Sequence, residues 1–135
     1  MTVFNIDEDK QGAWFDMEGG GRVQLRTLTF DDWDEIKKQT VRKGLPEYPK
    51  LDGKYQRFQP EIVNDSLQIE MIWDKTILAW ESLFDRNKQP IPCTREMKRA
   101  LMLMRDDSFR NFYQEKMNIL LEVDKEQAEA SEKNL

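Results

Sequence analysis

Hydrophobic and polar positions change period several times along the chain, and each change predicts an element. Ala13-Trp14-Phe15-Asp16-Met17 is a short aromatic run. Arg22-Val23-Gln24-Leu25-Arg26-Thr27-Leu28 alternates, with Val23 and Leu25 on one side and Arg22, Gln24 and Arg26 on the other. Period two marks a half-buried strand. Glu18-Gly19-Gly20-Gly21 between the runs reads as the turn of a β-hairpin over 13–28. From Phe30 the period becomes three and four. Phe30, Trp33, Ile36, Lys37 and Thr40 or Val41 predict a helix over about 30–43. Thr29 is its N-cap, Asp31 and Asp32 suit its amide end, and Gly44 stops it. A lone two-stranded hairpin is marginal in water, so this one is expected to pack on helices, the 30–43 helix first.

Residues 44–60 hold three prolines, two glycines and two tyrosines and read as an irregular, partly packed connection. From 61 to 80 apolar residues cover a broad arc: Ile62, Val63, Leu67, Ile69, Met71, Ile72, Trp73, Ile77, Leu78 and Trp80. That arc predicts a long central helix or a subunit-facing one. Asp85 to Lys88 is a turn, and its lack of glycine still permits type I. Pro90-Ile91-Pro92 is extended. Thr94 caps a helix over about 95–105 with Met97, Ala100, Leu101 and Met104 on one side. Phe109, Phe112, Tyr113, Leu120 and Leu121 define a further helix over about 109–124. Beyond it the apolar face ends: residues 122–133 carry five acidic and two basic side chains, so 125–135 reads as an acidic tail, helical or frayed. The resulting picture is α+β and mostly helical: a flexible stretch over 1–12, one domain over 13–124 with an N-terminal β-hairpin packed on helices, and the tail.

Composition then narrows the chemistry. The chain has 135 residues, enough for a core without a staple, and a single cysteine, which excludes an internal disulfide framework. It has no histidine, which removes Ser-His-Asp and Cys-His catalysis and the common zinc sites. Without a histidine base, Cys93 reads as a small apolar residue rather than a nucleophile. Glu70 and Asp74 read as a solvated helix face rather than a metal site. Glu35-Ile36-Lys37 and Glu96-Met97-Lys98 resemble nuclease triplets but fall in predicted helices. The expectation is therefore no catalytic residue, no cofactor and no metal. A carboxylate-metal enzyme is kept as a remote alternative.

Net charge is −5, against a nucleic-acid or membrane surface. The first 60 residues hold 11 acidic and 10 basic side chains. The N-terminus lacks a signal-peptide pattern, so a cytoplasmic location is expected. Glycines 19–21 lack the Lys-Ser/Thr of a phosphate loop. Lys50, Lys54 and Arg57 with Tyr48, Tyr55 and Phe58 imitate a single-strand surface, but the local charge is too small, and a packed or partner-binding loop is the reading kept. Seven Met and four Trp on helices with wide apolar arcs suggest that part of helix 62–80 or 109–124 is buried only in a homo-oligomer or a complex.

A larger pattern runs through these elements: Trp14-Phe15 with Gly21-Arg22-Val23, Tyr48-Pro49-Lys50 to Tyr55, and Trp73-Asp74. It continues with Trp80-Glu81-Ser82-Leu83, Asp85 to Lys88, Pro90-Ile91-Pro92-Cys93-Thr94-Arg95-Glu96, Phe109 to Phe112, and the terminal Glu132-Lys133-Asn134. Over about 12–134 the chain resembles the tail assembly chaperones of long-tailed phages and prophages. The departure is Asn87-Lys88, where relatives often place Asp-Gly or Asn-Gly. The resemblance implies a non-enzymatic protein that binds the tape measure protein, helps recruit tail tube subunits and is absent from the mature virion. It also implies the short form where a frameshifted longer form exists. Ile69, Trp73, Ile77, Trp80, Phe109, Phe112 and Tyr113 are the expected contact residues for an apolar partner helix. The alternatives are a structural adaptor of a particle and a bacterial regulatory protein-binding module.

Overall fold

The computed structural model describes residues 12–133; the N-terminal stretch expected to be loose, 1–12, lies outside the described residues save Gly12. In chain order the elements are β1 (Ala13–Asp16), β2 (Arg22–Leu25), α1 (Phe30–Thr40), β3 (Val41–Lys43), β4 (Lys50–Leu51), β5 (Lys54–Tyr55), β6 (Glu61–Val63), α2 (Asp65–Thr76), β7 (Ile77–Glu81), α3 (Arg95–Met102) and α4 (Ser108–Lys133). The fold is α+β, with four helices and small antiparallel sheets among the described residues. Contacts cluster into two compact units. One joins the chain up to Leu28 with the chain from Trp73 onward, and the other is Thr29–Ile72.

In the first unit the expected hairpin forms and gains a third strand. The sheet order is β1-β2-β7, antiparallel throughout. Val23 and Leu25, the alternating apolar pair, are fully buried on one face. They join Trp73, Ile77, Trp80, Met102, Phe109, Tyr113 and Met117 in one cluster. The helical residues of this cluster come from α3, α4 and Trp73 in the last turn of α2, whereas the 30–40 helix belongs to the other unit. On the outer face, one rung sets Asp16, Arg22 and Glu81 side by side, with Arg22 3.2 Å from Asp16 and 3.6 Å from Glu81.

The helix expected over 61–80 is a strand, a shorter helix and another strand. Two local signals explain the difference. Asn64 ends β6 and caps α2: its side-chain oxygen accepts from the Leu67 amide at 3.2 Å. At the other end, Ile77 and Trp80 are three apart, the spacing of a helix face. In β7 the same two side chains reach one side through a bulge, where β2 steps from Gln24 opposite Ala79 to Leu25 opposite Ile77 and Leu78 is skipped.

Thr94 caps α3 as expected, accepting from the Met97 amide at 3.2 Å, but the helix stops at Met102 rather than 105. In α4, Phe109, Tyr113 and Met117 repeat every four residues into the cluster. The helix does not end at 124: it continues to Lys133, although every side chain from Leu121 to Ala130 is exposed.

In the second unit, α1 begins with the expected cap in its reciprocal form. Thr29 accepts from the Asp32 amide at 3.2 Å, and Asp32 accepts from the Thr29 amide at 2.8 Å. The helix ends at Thr40, three residues early, because Val41 turns into β3 and pairs with Val63. Ile36, Thr40 and Met71 are the buried side chains here. The Thr40 hydroxyl donates to Ile36 O at 2.7 Å and accepts from Gln68 Nε2 at 3.2 Å.

Residues 41–63 are not an irregular connection but a two-stranded arm. β3 pairs with β6, Gly44 N donates to Pro60 O at 2.8 Å, Glu47 pairs with Phe58, and β4 pairs with β5. Between Gly44 and Glu47 one strand has one residue more than its partner, and the amide of Gln59 steadies that step by donating to Gly44 O at 3.1 Å. The tip is Asp52-Gly53, with φ of 51° and 79°. Two successive positive φ values define the primed turn that matches strand twist.

Candidate functional site

The chain between Ser82 and Ser108 decides what the first unit can hold. Asp85 closes a tight loop: Lys88 N donates to Asp85 O at 3.0 Å, and the Asp85 carboxylate accepts from the Asn87 and Gln89 amides at 2.9 and 3.0 Å. This is the type I closure expected without glycine, followed by Lys88 at φ 60°. Phe84 pairs across the loop with Pro90, and Ile91 N donates to Leu83 O at 2.8 Å. Trp80 anchors the return strand from below, its indole N–H donating to Ile91 O at 2.7 Å. Its ring meets Phe109 edge-on at 6.1 Å.

The outcome is an open groove of about 250 Å³ whose apolar lining is Met17, Leu83, Phe84, Ile91, Leu101, Met104 and Phe109. Gly21 forms part of the wall: a Cβ there would fall 2.5 Å from a Leu83 methyl, which would have to shift to admit it. Phe84 is 58% exposed and Met104 46%. Two large apolar side chains therefore stand at the rim over a packed floor.

Of the seven contact residues expected from sequence, Phe109 alone is among the groove's lining residues. Trp73, Ile77, Trp80, Phe109 and Tyr113 are all buried in the core. As core they cannot present an open face, and the expectation of a contact stripe through them is corrected: they hold the first unit together, and Phe109 alone also reaches the groove. Phe112 is half-buried, with the Lys116 ammonium 5.7 Å from its ring centre. Ile69 is exposed, in the other unit. Met17, Leu83, Phe84, Ile91, Leu101 and Met104 were not in the expected set. Leu101 was legible on one side of a helix, but Met104 lies beyond the end of that helix, and Phe84 and Ile91 are placed only by the loop pairing.

The polar groups near this floor are committed to structure. Lys98 is buried, and its ammonium donates to Asp74 O at 3.0 Å and to the Asp74 carboxylate at 3.1 Å. Asp74, weighed as half of a metal pair, is thus a lysine's counter-charge. Tyr113 and Thr76 share a buried hydroxyl contact at 2.8 Å. Burial pushes the Tyr113 phenol up from its ordinary pKa, with the Thr76 bond pulling the other way. Burial likewise pushes the Cys93 thiol up; Lys98 and a backbone hydrogen bond at Trp80 oppose it, and Asp74 adds to it. A thiol held protonated is a poor nucleophile.

A second exposed surface lies on the arm. Leu45, Tyr48, Leu51, Tyr55, Phe58, Ile62 and Val63 are all exposed, Leu45 to 86% and Tyr55 to 74%. Among the described residues, no helix is long and apolar enough to cross a membrane. No protein-family model, curated protein or solved structure matches the chain.

Proposed function

We propose that this chain is a non-enzymatic tail assembly chaperone whose groove holds an apolar helical segment of a tape measure protein until tail tube subunits enclose it. The observation that carries the reading is the groove between Leu83, Phe84, Ile91, Leu101 and Met104. Its methionines and rim phenylalanine offer adaptable apolar contact, and a Phe or Leu at helical spacing is the ligand that such a groove accepts. The sequence resemblance over 12–134 supplies the partner's identity. A tape measure protein exposes apolar helical surface before assembly, and a holder needs a charged exterior around its groove. The net charge of −5 keeps such a complex in solution. The protein would act in the host cytoplasm and leave before the particle is finished.

The test is affinity purification of the tagged chain from cells in which tails are being made, read by quantitative mass spectrometry. Co-recovery of a very long helical protein with a tail tube subunit is the expected result. Active tail production with neither protein recovered refutes the reading. Detection of the chain at stoichiometric level in purified particles would assign it instead to the adaptor class.

A further inference from the structure

We propose that the cationic face of the arm docks on the acidic end of α4 in a second copy of this chain. The pleat of the arm divides its side chains. Glu47, Leu51, Lys54 and Phe58 share one face by their pairing, and Tyr48, Lys50, Tyr55 and Arg57 share the other. Each cation on the second face stands opposite a tyrosine, and the Lys50 ammonium lies 5.8 Å from the centre of the Tyr55 ring. Residues 41–63 hold five basic and three acidic side chains, a net of +2 in a chain whose net is −5. Pro46 and Pro49 on one strand and Pro60 on the other lack amide donors, so the arm's edges are poorly suited to adding a strand. Its recognition surface is therefore a face, and a face of tyrosines and cations fits an acidic helix with apolar spots.

The chain carries such a helix. Glu122, Glu126 and Glu129 run along one side of α4, beside Ile119, Val123 and Ala130, and all six are exposed. This stretch remains helical to Lys133; Thr27 donates to the Asp124 carboxylate at 2.8 Å, on a different side of the helix from Glu122 and Glu126. The spacings agree: Lys50 and Arg57 are about 8 Å apart across the two strands by ladder geometry, and carboxylates one to two helical turns apart are separated by about 6–10 Å. Because arm and helix end are different surfaces, the contact is head-to-tail, and each copy offers both halves. It leaves the groove free and does not depend on what the groove holds.

Sedimentation velocity of the full chain over a concentration series, at low and high salt, tests this. Self-association that weakens with salt is expected. Lys50→Glu with Arg57→Glu, and separately Glu122→Lys with Glu126→Lys, should each weaken it by on the order of a hundredfold, since juxtaposed like charges cost several kcal/mol. Mixing the two variants should restore association, because the reversed arm then meets the reversed helix. All these positions are exposed, and unchanged far-UV circular dichroism verifies folding. A chain that stays monomeric at low salt overturns the proposal. So does association indifferent to both variants, or a mixture that fails to recover. Binding of the arm to a different acidic protein, with the chain alone monomeric, overturns the second-copy assignment.

Discussion

Phe84→Ala separates a groove that captures a helix from an apolar surface that does nothing. Phe84 is 58% exposed at the groove rim. A phenylalanine offers about 150–250 Å² to bury, so roughly 115 Å² remains for a partner to cover. At about 25 cal/mol per Å² this is worth up to ~3 kcal/mol. The Cβ that alanine retains brings the expected loss to about 2 kcal/mol, or roughly thirtyfold in affinity. Folding stability should fall by no more than about 0.5 kcal/mol, because the side chain is mostly in water already. The assay is fluorescence anisotropy with a labelled amphipathic helical peptide of the kind proposed as the groove's ligand, alongside urea unfolding of each variant. Trp73→Asp serves as the contrast. Trp73 is 8% exposed inside the core cluster, and a charge there should unfold the first unit rather than merely weaken binding. A Phe84→Ala protein that binds as tightly as the parent refutes the groove reading, and a Trp73→Asp protein that folds normally refutes the assignment of that ring to the core.

Other consequences follow from the buried hydroxyl pair and the loop. Tyr113→Phe and Thr76→Val should each cost about 1–2 kcal/mol by urea unfolding, and the double variant about 1 kcal/mol less than their sum, because it removes both halves of one 2.8 Å contact. Additive losses would show the contact to be energetically idle. The raised Tyr113 pKa makes the folded state hold its proton longer than the unfolded state. The associated stability is intact below about pH 10, the unfolded value, and falls as pH rises through the folded value. Tyr113→Phe should remove that share of the alkaline loss. Lys88→Gly should raise stability by about 0.5–1 kcal/mol, read as a higher melting temperature, since a lysine at φ 60° sits where glycine is unstrained. Cys93 should react with iodoacetamide at neutral pH more slowly than in urea, as its partly buried thiol is held protonated.

The elements with local signals were legible. Thr29 with Asp32, Thr94, the glycines after Glu18 and the alternation of Val23 and Leu25 each stated a cap, a turn or a strand within a few residues. The misread segments are those where two structures share one spacing. Ile77 and Trp80 are three apart on a helix and equally three apart across a β-bulge, and only the neighbouring β2 strand decides between them. The arm had a signal, Asp52-Gly53 between Lys50-Leu51 and Lys54-Tyr55, that the surrounding prolines masked. At the groove, sequence found Phe109 but not the rim, because Phe84 and Ile91 are set in place by the pairing within the 83–91 loop and join Leu101 and Met104 only in the folded unit. Trp73, Ile77, Trp80, Phe109 and Tyr113, which stand out in the sequence, are taken up by the core.

The central strand β2 is sewn to a strand made much later. Val23 pairs with Trp80, 57 residues onward. At about 5–20 residues per second, a ribosome needs roughly 3–11 s to deliver that partner. Throughout the interval Val23 and Leu25 have only β1 beside them, while Thr29–Ile72 emerges whole and able to gather its own contacts. The birth order of the molecule is thus inside out. The inserted unit comes first, and the enclosing unit closes only when its second half leaves the exit tunnel. A rare-codon pause placed just before Ile77 would lengthen the exposure of a nascent apolar strand.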